Sequence, residues 1–155
     1  MIRPATVVDV PIVLTLVHEL ARYEREPDAV LATEESLAAA LFGDNPRVFC
    51  HVAEEDDGAV VGFAVWFFNF STWLGRHGIY LEDLFVQPDA RGAGHGRALL
   101  TELARIAVAN DCGRVEWAVL DWNVDAQAFY ASLGAQPMDE WTTWRLTGDA
   151  LTALG

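Results

Sequence analysis

The sequence predicts one α/β domain built on a mixed sheet and spanning residues 1–155. The chain has 155 residues, of which 52% are hydrophobic, enough for a compact domain with a buried core. Segments of strand-like composition are interspersed with segments of helical periodicity. At the centre, an apolar strand pattern passes through a glycine-rich turn into a long amphipathic pattern. These observations indicate a mixed order of strands and helices without repeats or linkers.

The N-terminal part is predicted to form a short strand, two helices and a hairpin. "IRPAT" is the strand, and "DVPIVLTLVHELARYE" is a helix with Asp9 as its cap and Pro11 in its first turn. "TEESLAAALFG" predicts a second helix that Thr33 caps and Gly43 ends. In "RVFCHVAEEDDGAVVGFAVWFF", two strands flank an acidic turn at residues 54–58.

The C-terminal part is predicted to alternate strands and helices. "GIYLEDLFVQP" is a strand that Pro88 ends, and residues 96–111 form a helix with an apolar stripe that Gly113 stops. "RVEWAVLDW" predicts the next strand. "NVDAQAFYASLG" is a helix capped by Asn123 and ended at Gly134, and "WTTWRLT" predicts a closing strand.

Composition excludes several function classes. The net charge of −13 argues against binding to nucleic acid or to anionic membrane surfaces. No apolar run reaches the roughly 18 residues of a membrane span, and no secretion signal is evident, so we expect a cytoplasmic protein. All ten basic residues are arginines, which excludes Schiff-base chemistry and a phosphate-binding lysine. Two cysteines and four histidines show no metal-ligand spacing, so no metal is expected.

The glycine-rich turn is a candidate anion site. Gly92, Gly94 and Gly96 lie between a strand and a helix, flanked by Arg91 and Arg97. The first amides of a helix lack intrahelical partners, glycines allow close approach, and arginines add charge-assisted contacts. A flexible turn without a ligand is the alternative. The spacing fits neither Gly-x-Gly-x-x-Gly nor Gly-Lys-Ser/Thr, but it does fit Arg-x-x-Gly-x-Gly.

That spacing resembles the pyrophosphate-binding motif of the GNAT superfamily of acyl-CoA-dependent N-acetyltransferases. "IRPAT", "ELARYE", "GFAVWFF", "YLEDLFV", "RGAGHG", "WN" and "FYASLGA" are similar, in order, to the spermidine/spermine and thialysine N-acetyltransferases over residues 2–146. The resemblance implies the GNAT fold: a mostly antiparallel, twisted central sheet flanked by about four helices. It also implies acetyl-CoA as cosubstrate, bound in the splay between the two central strands.

The resemblance assigns the cofactor contacts to one strand, the glycine turn and one cap residue. Main-chain groups of the strand bind the acetyl and pantetheine groups, and one amide polarises the thioester carbonyl. The cap residue both starts its helix and touches CoA, two roles that are compatible. The implied residues are Leu84, Phe85, Val86, Arg91, Gly92, Ala93, Gly94, His95, Gly96, Arg97 and Asn123.

Two residues carry the implied proton transfers. An acceptor amine with a pKa of about 10 must lose a proton before it attacks, and the resemblance assigns this proton transfer to Glu82 through water. Asp83 would attract the cation, although adjacent residues face opposite sides of a strand unless it bulges. Tyr130 aligns with the tyrosine that protonates the leaving thiolate. A packing role for Tyr130 beside Phe129 is the alternative.

The acceptor contacts imply a small cationic amine. Tyr23 and Glu24 match a "YE" pair of the family, and Trp73 matches an aromatic residue near the amine. An aromatic face with carboxylates suits a cation. Ser71 and Thr142 stand where polyamine enzymes carry acidic residues, so thialysine or a lysine-like amine is at least as well supported as a polyamine.

Two other functions remain open from the sequence. One is an acyl-CoA-binding module without turnover, against which Glu82 and Tyr130 argue because a pure binder needs neither. The other is an acetyltransferase for protein amines, which requires an open groove. The resemblance also implies a homodimer in which Trp141 and Trp144 of the closing strand contact the partner, unless they belong to the monomer core.

Overall fold

A computed structural model describes residues 1–155 and contains five strands and five helices. The chain divides into two compact units, Met1–Ala118 and Val119–Gly155. The first unit holds all five strands and three helices, and the second holds two helices. None of the helices is long and apolar enough to cross a membrane.

The first unit is built on one five-stranded sheet in which neighbours in sequence are neighbours in space. The pairs β1–β2, β2–β3 and β3–β4 are antiparallel, and β4–β5 is parallel. The prediction of a mixed, mostly antiparallel sheet is therefore confirmed. The strands are β1 (Ile2–Pro4), β2 (Phe49–Glu54), β3 (Val60–Ser71), β4 (Arg76–Val86) and β5 (Val115–Glu116).

Three helices cover the two faces of this sheet: α1 (Val10–Tyr23), α2 (Glu34–Phe42) and α3 (His95–Ala109). Val13 and Leu16 of α1 form one core cluster with Leu41 of α2 and with Val52 and Phe63 of the sheet. Alternate residues of the strands point to the other face, which α3 covers. There Trp66 Nε1 donates to His51 Nδ1 at 3.1 Å, and His51 Nε2 lies 4.0 Å from Oε1 of Glu102 on α3.

The predicted capping role of Asp9 is wrong. Asp9 stands at the N-terminal boundary of α1, but its side chain makes no cap hydrogen bond to that helix. It accepts two bonds from Arg3, at 2.8 and 2.9 Å, and one from the Thr6 amide at 2.7 Å. The Arg3 guanidinium holds the pKa of this buried carboxyl well below its usual range. Asp9 therefore joins β1 to the turn before α1.

The other predicted helices of the first unit are confirmed with small shifts. Thr33 Oγ1 accepts from the Ser36 amide at 3.2 Å and caps α2, and Gly43 ends it. Helix α3 begins one residue earlier than predicted and ends at Ala109. The chain reverses at Asp111, whose φ of 52° is left-handed, so the stop comes two residues before the predicted Gly113.

The two predicted C-terminal strands need correction. Only Val115 and Glu116 of "RVEWAVLDW" are paired with β4. No strand forms at "WTTWRLT"; instead the chain ends in α5 (Gly148–Leu154). The apolar side chains of this segment are exposed, so they bury little surface that could stabilise a strand: Trp141 is 67% exposed, Trp144 92% and Leu146 50%. The helix at "NVDAQAFYASLG" is confirmed as α4 (Val124–Ser132).

Candidate active site

A bulge in β4 creates the central feature of the site. Val65 of β3 is opposite Asp83, but the next residue, Trp66, is opposite Leu81, so Glu82 is an extra residue in β4. Because Val65 and Phe67 share one face of β3, their partners Asp83 and Tyr80 also share one face of β4. The strand therefore bulges at Glu82, which was the condition for Glu82 and Asp83 to act together. Their joint role stays a prediction.

Beside the bulge, β4 has an open edge. Pairing with β5 stops at Tyr80 and Glu116, and no strand lies alongside β4 beyond that point. The Gln87 amide donates to the Val61 carbonyl at 2.9 Å, and main-chain direction alternates along an antiparallel strand. The amides and carbonyls of Leu84 and Val86 therefore face the open edge, whereas those of Phe85 face β3. An extended ligand can be bound there as an added strand.

Three carboxylates lie around the bulge, and two of them act on the third. Glu82 is exposed, Asp83 is half-buried, and Glu24 follows the end of α1. Burial, followed by the charges of Glu82 and Glu24, raises the pKa of Asp83 from 3.8 to about 6. Burial also raises the pKa of Glu24. This concentration of negative charge suits a cationic ligand and is costly without one.

Tyr23 and Arg91 are in contact near the C-terminal ends of α1 and β4. The Arg91 guanidinium carbon lies 5.0 Å from the centre of the Tyr23 ring and 5.6 Å from that of Phe85. Its Nε donates to the Val86 carbonyl at 2.9 Å. Arg91 thus links the end of α1 to the end of β4. Tyr23, predicted to bind the acceptor, lies beside an arginine predicted to bind the cofactor.

The glycine turn has the geometry of an anion cradle. Gly92 and Gly94 have φ angles of 85° and 89°, which non-glycine residues rarely adopt, and open space lies where a Cβ would stand. The first backbone bond of α3 runs from the Ala98 amide to the Gly94 carbonyl. The amides of residues 95–97 precede that bond and are oriented toward the turn. The turn therefore fits the pyrophosphate of acetyl-CoA.

Two predicted site residues belong to the second unit. Asn123 Oδ1 accepts from the Ala126 amide at 3.3 Å and caps α4, which confirms its structural role. Tyr130 is half-buried on the same helix, and its ring centre lies 5.3 Å from that of Phe129. A functional role for either residue stays a prediction.

Trp73 lies apart from the carboxylates. It occupies the turn between β3 and β4. Six residues of β4 lie between this turn and Glu82, which corresponds to about 20 Å along the strand. The Trp73 side chain is 88% exposed. In the same turn, buried Ser71 accepts from the Leu74 amide at 3.2 Å, so this residue shapes the turn. The structure does not bring Trp73 to the bulge, and its contact with the acceptor stays a prediction.

The sequence did not single out Tyr80 and Glu116 as parts of this region. They are opposite each other on β4 and β5. Burial, followed by the charges of Glu82 and Glu116, raises the pKa of the Tyr80 hydroxyl. The sequence does place Tyr80 two positions before Glu82 and three before Asp83. That closeness predicts a shared site only when the bulge in β4 and the register with β5 are known.

A comparison with known protein families identifies the family of this chain. The sequence model of the acetyltransferase (GNAT) family matches residues 14–135. The chain belongs to this family. The fold and the resemblance predicted from the glycine turn are both confirmed, and the protein is an acetyltransferase.

Full-length relatives support this membership. Thialysine N-epsilon-acetyltransferase of Bos taurus is 42% identical over 164 residues, covering 99% of this acetyltransferase and 96% of that protein. L-ornithine N5-acetyltransferase of Arabidopsis thaliana is 35% identical over 197 residues, covering 99% and 86%. Among solved structures, an integron cassette protein of V. cholerae gives a TM-score of 0.80 at 33% identity, covering 99% and 96%.

Proposed function

We propose that this acetyltransferase moves an acetyl group from acetyl-CoA to the primary amine of a small cationic acceptor by direct attack. The bulge at Glu82 is the observation that carries the proposal. It places carboxylates beside an open strand edge, so a cation and an extended thioester are held at one point of β4. Holding two reactants together in the right orientation lowers the activation barrier by several kcal/mol, and by about 7–11 kcal/mol at most.

Acetyl-CoA supplies the acetyl group as a thioester. The amides of the glycine turn hold its pyrophosphate, with Arg91 and Arg97 as flanking charges. Main-chain groups of Leu84 and Val86 bond its extended arm, and an amide at this edge stabilises charge on the carbonyl oxygen. This geometry leaves the end of the arm next to the carboxylates of β4.

The acceptor amine is attracted and then deprotonated by the chain's own carboxylates. With a pKa of about 6, Asp83 is largely ionised at neutral pH and attracts the ammonium group. Glu82 is exposed to solvent and takes the amine proton through water. Tyr130 donates a proton from its hydroxyl to the departing sulphur, a role that rests on sequence similarity to the family's tyrosine.

The acceptor is a lysine-like amine in preference to a long polyamine. The Ser71 hydroxyl accepts a hydrogen bond from the Leu74 amide, so it does not take the place of the acidic residue that polyamine enzymes carry at this position. Relatives named for thialysine and ornithine cover nearly the whole chain. Both acceptors named by these relatives are amino acids with a side-chain amine.

The test measures CoA-thiol release from acetyl-CoA with thialysine, lysine and spermidine at equal concentration. We expect faster release with thialysine or lysine than with spermidine. Glu82→Gln should lower kcat at least about tenfold, whereas Glu34→Gln, an exposed charge on α2, should not. Release with spermidine alone would contradict the acceptor class, and no release with any amine would contradict the proposed reaction.

A further inference from the structure

A polar cluster spans three strands next to the bulge. The Gly78 cluster consists of Asn69 on β3, Tyr80 on β4, and Arg114 and Glu116 at β5, arranged around Gly78. Asn69 Nδ2 donates to Glu116 Oε1 at 3.3 Å, and Arg114 Nε lies 2.8 Å from the same oxygen. Side chains from β3 and β5 therefore meet across β4.

The missing side chain at residue 78 makes this contact possible. A Cβ there would lie 2.6 Å from Asn69 Oδ1 and 3.3 Å from Arg114 Cγ, and the first distance is too short for any real contact. Asn69 Oδ1 is buried and has no hydrogen-bond partner. An unpaired buried acceptor costs about 1–3 kcal/mol, so the cluster is not optimised for stability.

The cluster lies on the acceptor side of the reaction centre. Asn69 and Phe67 share one face of β3, and their partners on β4 place Gly78 and Tyr80 on that face together with Asp83. The cofactor edge at Leu84 and Val86 lies on the opposite side of the bulge. Tyr80 stands two positions before Glu82, a distance of about 7 Å along a strand.

Arg114 and Glu116 offer both charges to a ligand. Their side chains are 42% and 34% exposed, so solvent-borne groups reach them. An α-amino acid carries an ammonium and a carboxylate on one carbon, and this pair of side chains complements both. A diamine offers only ammonium groups, and Arg114 beside Glu116 cancels most of the attraction for a second one.

We propose that the Gly78 cluster binds the α-ammonium and α-carboxylate of the acceptor, so that the enzyme selects amino acids with a side-chain amine over diamines. Glu116 binds the ammonium group and Arg114 the carboxylate. Five single bonds of about 1.5 Å extend to about 6 Å, close to the roughly 7 Å along the strand between Glu82 and Tyr80, the residue opposite Glu116. The inference rests on the proposed acetyl transfer and names its substrate class.

The test compares acceptors that differ only in the carboxylate: lysine with cadaverine, and ornithine with putrescine. For the wild type, kcat/KM should be at least about tenfold higher for each amino acid, as expected for charge-assisted hydrogen bonds. Arg114→Gln should lower kcat/KM about tenfold for lysine and raise it for cadaverine, because Glu116 then has no cation beside it. Arg114→Lys should recover part of the preference because it keeps the charge.

Arg76→Gln is the matched control, since Arg76 forms an exposed ion pair with Asp111 outside the cluster. It should leave both acceptors unaffected, and thermal unfolding shows whether each variant is folded. Equal rates for lysine and cadaverine in the wild type, or equal losses for both in folded Arg114→Gln, would overturn the proposal.

A measurement of acceptor binding tests the role of the Gly78 cluster independently of the proposed reaction. Calorimetric titration of the CoA-bound protein with lysine and cadaverine requires no turnover. Preferential binding of lysine that Arg114→Gln abolishes supports the cluster even if no amine is acetylated, which would then count against the reaction alone. Equal binding of the two ligands overturns the cluster's role whatever the rates are.

Discussion

Replacing Asp83 with Asn should stabilise the protein at alkaline pH. Burial and the charges of Glu82 and Glu24 raise the pKa of Asp83 from 3.8 to about 6, a shift of about two units. Each unit corresponds to about 1.4 kcal/mol, so ionised Asp83 costs about 3 kcal/mol of unfolding free energy. Asn keeps the shape and is neutral at every pH, which removes this cost.

The sign of the pH dependence follows from the proton that each state holds. Between about pH 4 and 6, folded Asp83 retains a proton that the unfolded chain has released. The contribution of Asp83 to stability therefore falls as the pH rises through this window. The advantage of Asp83→Asn should be small below about pH 4 and complete above about pH 6.

Urea unfolding at several pH values measures this difference directly. Asp56→Asn, an exposed carboxylate in the turn between β2 and β3, is the control and should show no such window. The reasoning is refuted if Asp83→Asn has the same stability relative to the wild type at about pH 4 and about pH 8. The stabilised variant should also be the slower enzyme, because it has lost a charge that attracts the acceptor.

Three further predictions concern Tyr130, the cofactor and the N-terminal ion pair. Tyr130→Phe should lower kcat at least about tenfold with unchanged acetyl-CoA binding; unchanged turnover would leave Tyr130 as a packing residue. Arg91→Ala should weaken acetyl-CoA binding at least about tenfold by calorimetry, and equal affinity would count against its contact with the pyrophosphate. Arg3→Met leaves buried Asp9 without its cation and should cost about 3–5 kcal/mol in urea unfolding; a loss below about 1 kcal/mol would show that the Thr6 amide suffices.

Features set by neighbouring residues could be predicted from the sequence. The apolar periodicity of α1 and α3, the Thr33 cap and the hairpin turn at residues 54–58 all depend on short-range patterns. The glycine turn could be recognised for the same reason. Its φ angles require glycine at Gly92 and Gly94, and the spacing is local.

Features set by strand register could not be predicted. The side chain of Asp9 suits a helix cap, but Arg3 offers two charged hydrogen bonds, and that preference depends on how β1 is placed. The bulge at Glu82 appears only when β3 and β4 are aligned. The contact between Asn69 and Glu116 joins residues 47 positions apart and needs Gly78 between them.

The open edge of β4 also bears on the fate of the protein in the cell. A strand edge with unpaired amides and carbonyls is a template for the edge of another chain, and hence a starting point for aggregation. Arg91 reduces this risk because its charged side chain donates a hydrogen bond to the Val86 carbonyl, which is then unavailable to another strand. A bound cofactor would mask the remaining groups, so the solubility of the enzyme should follow the supply of its ligand.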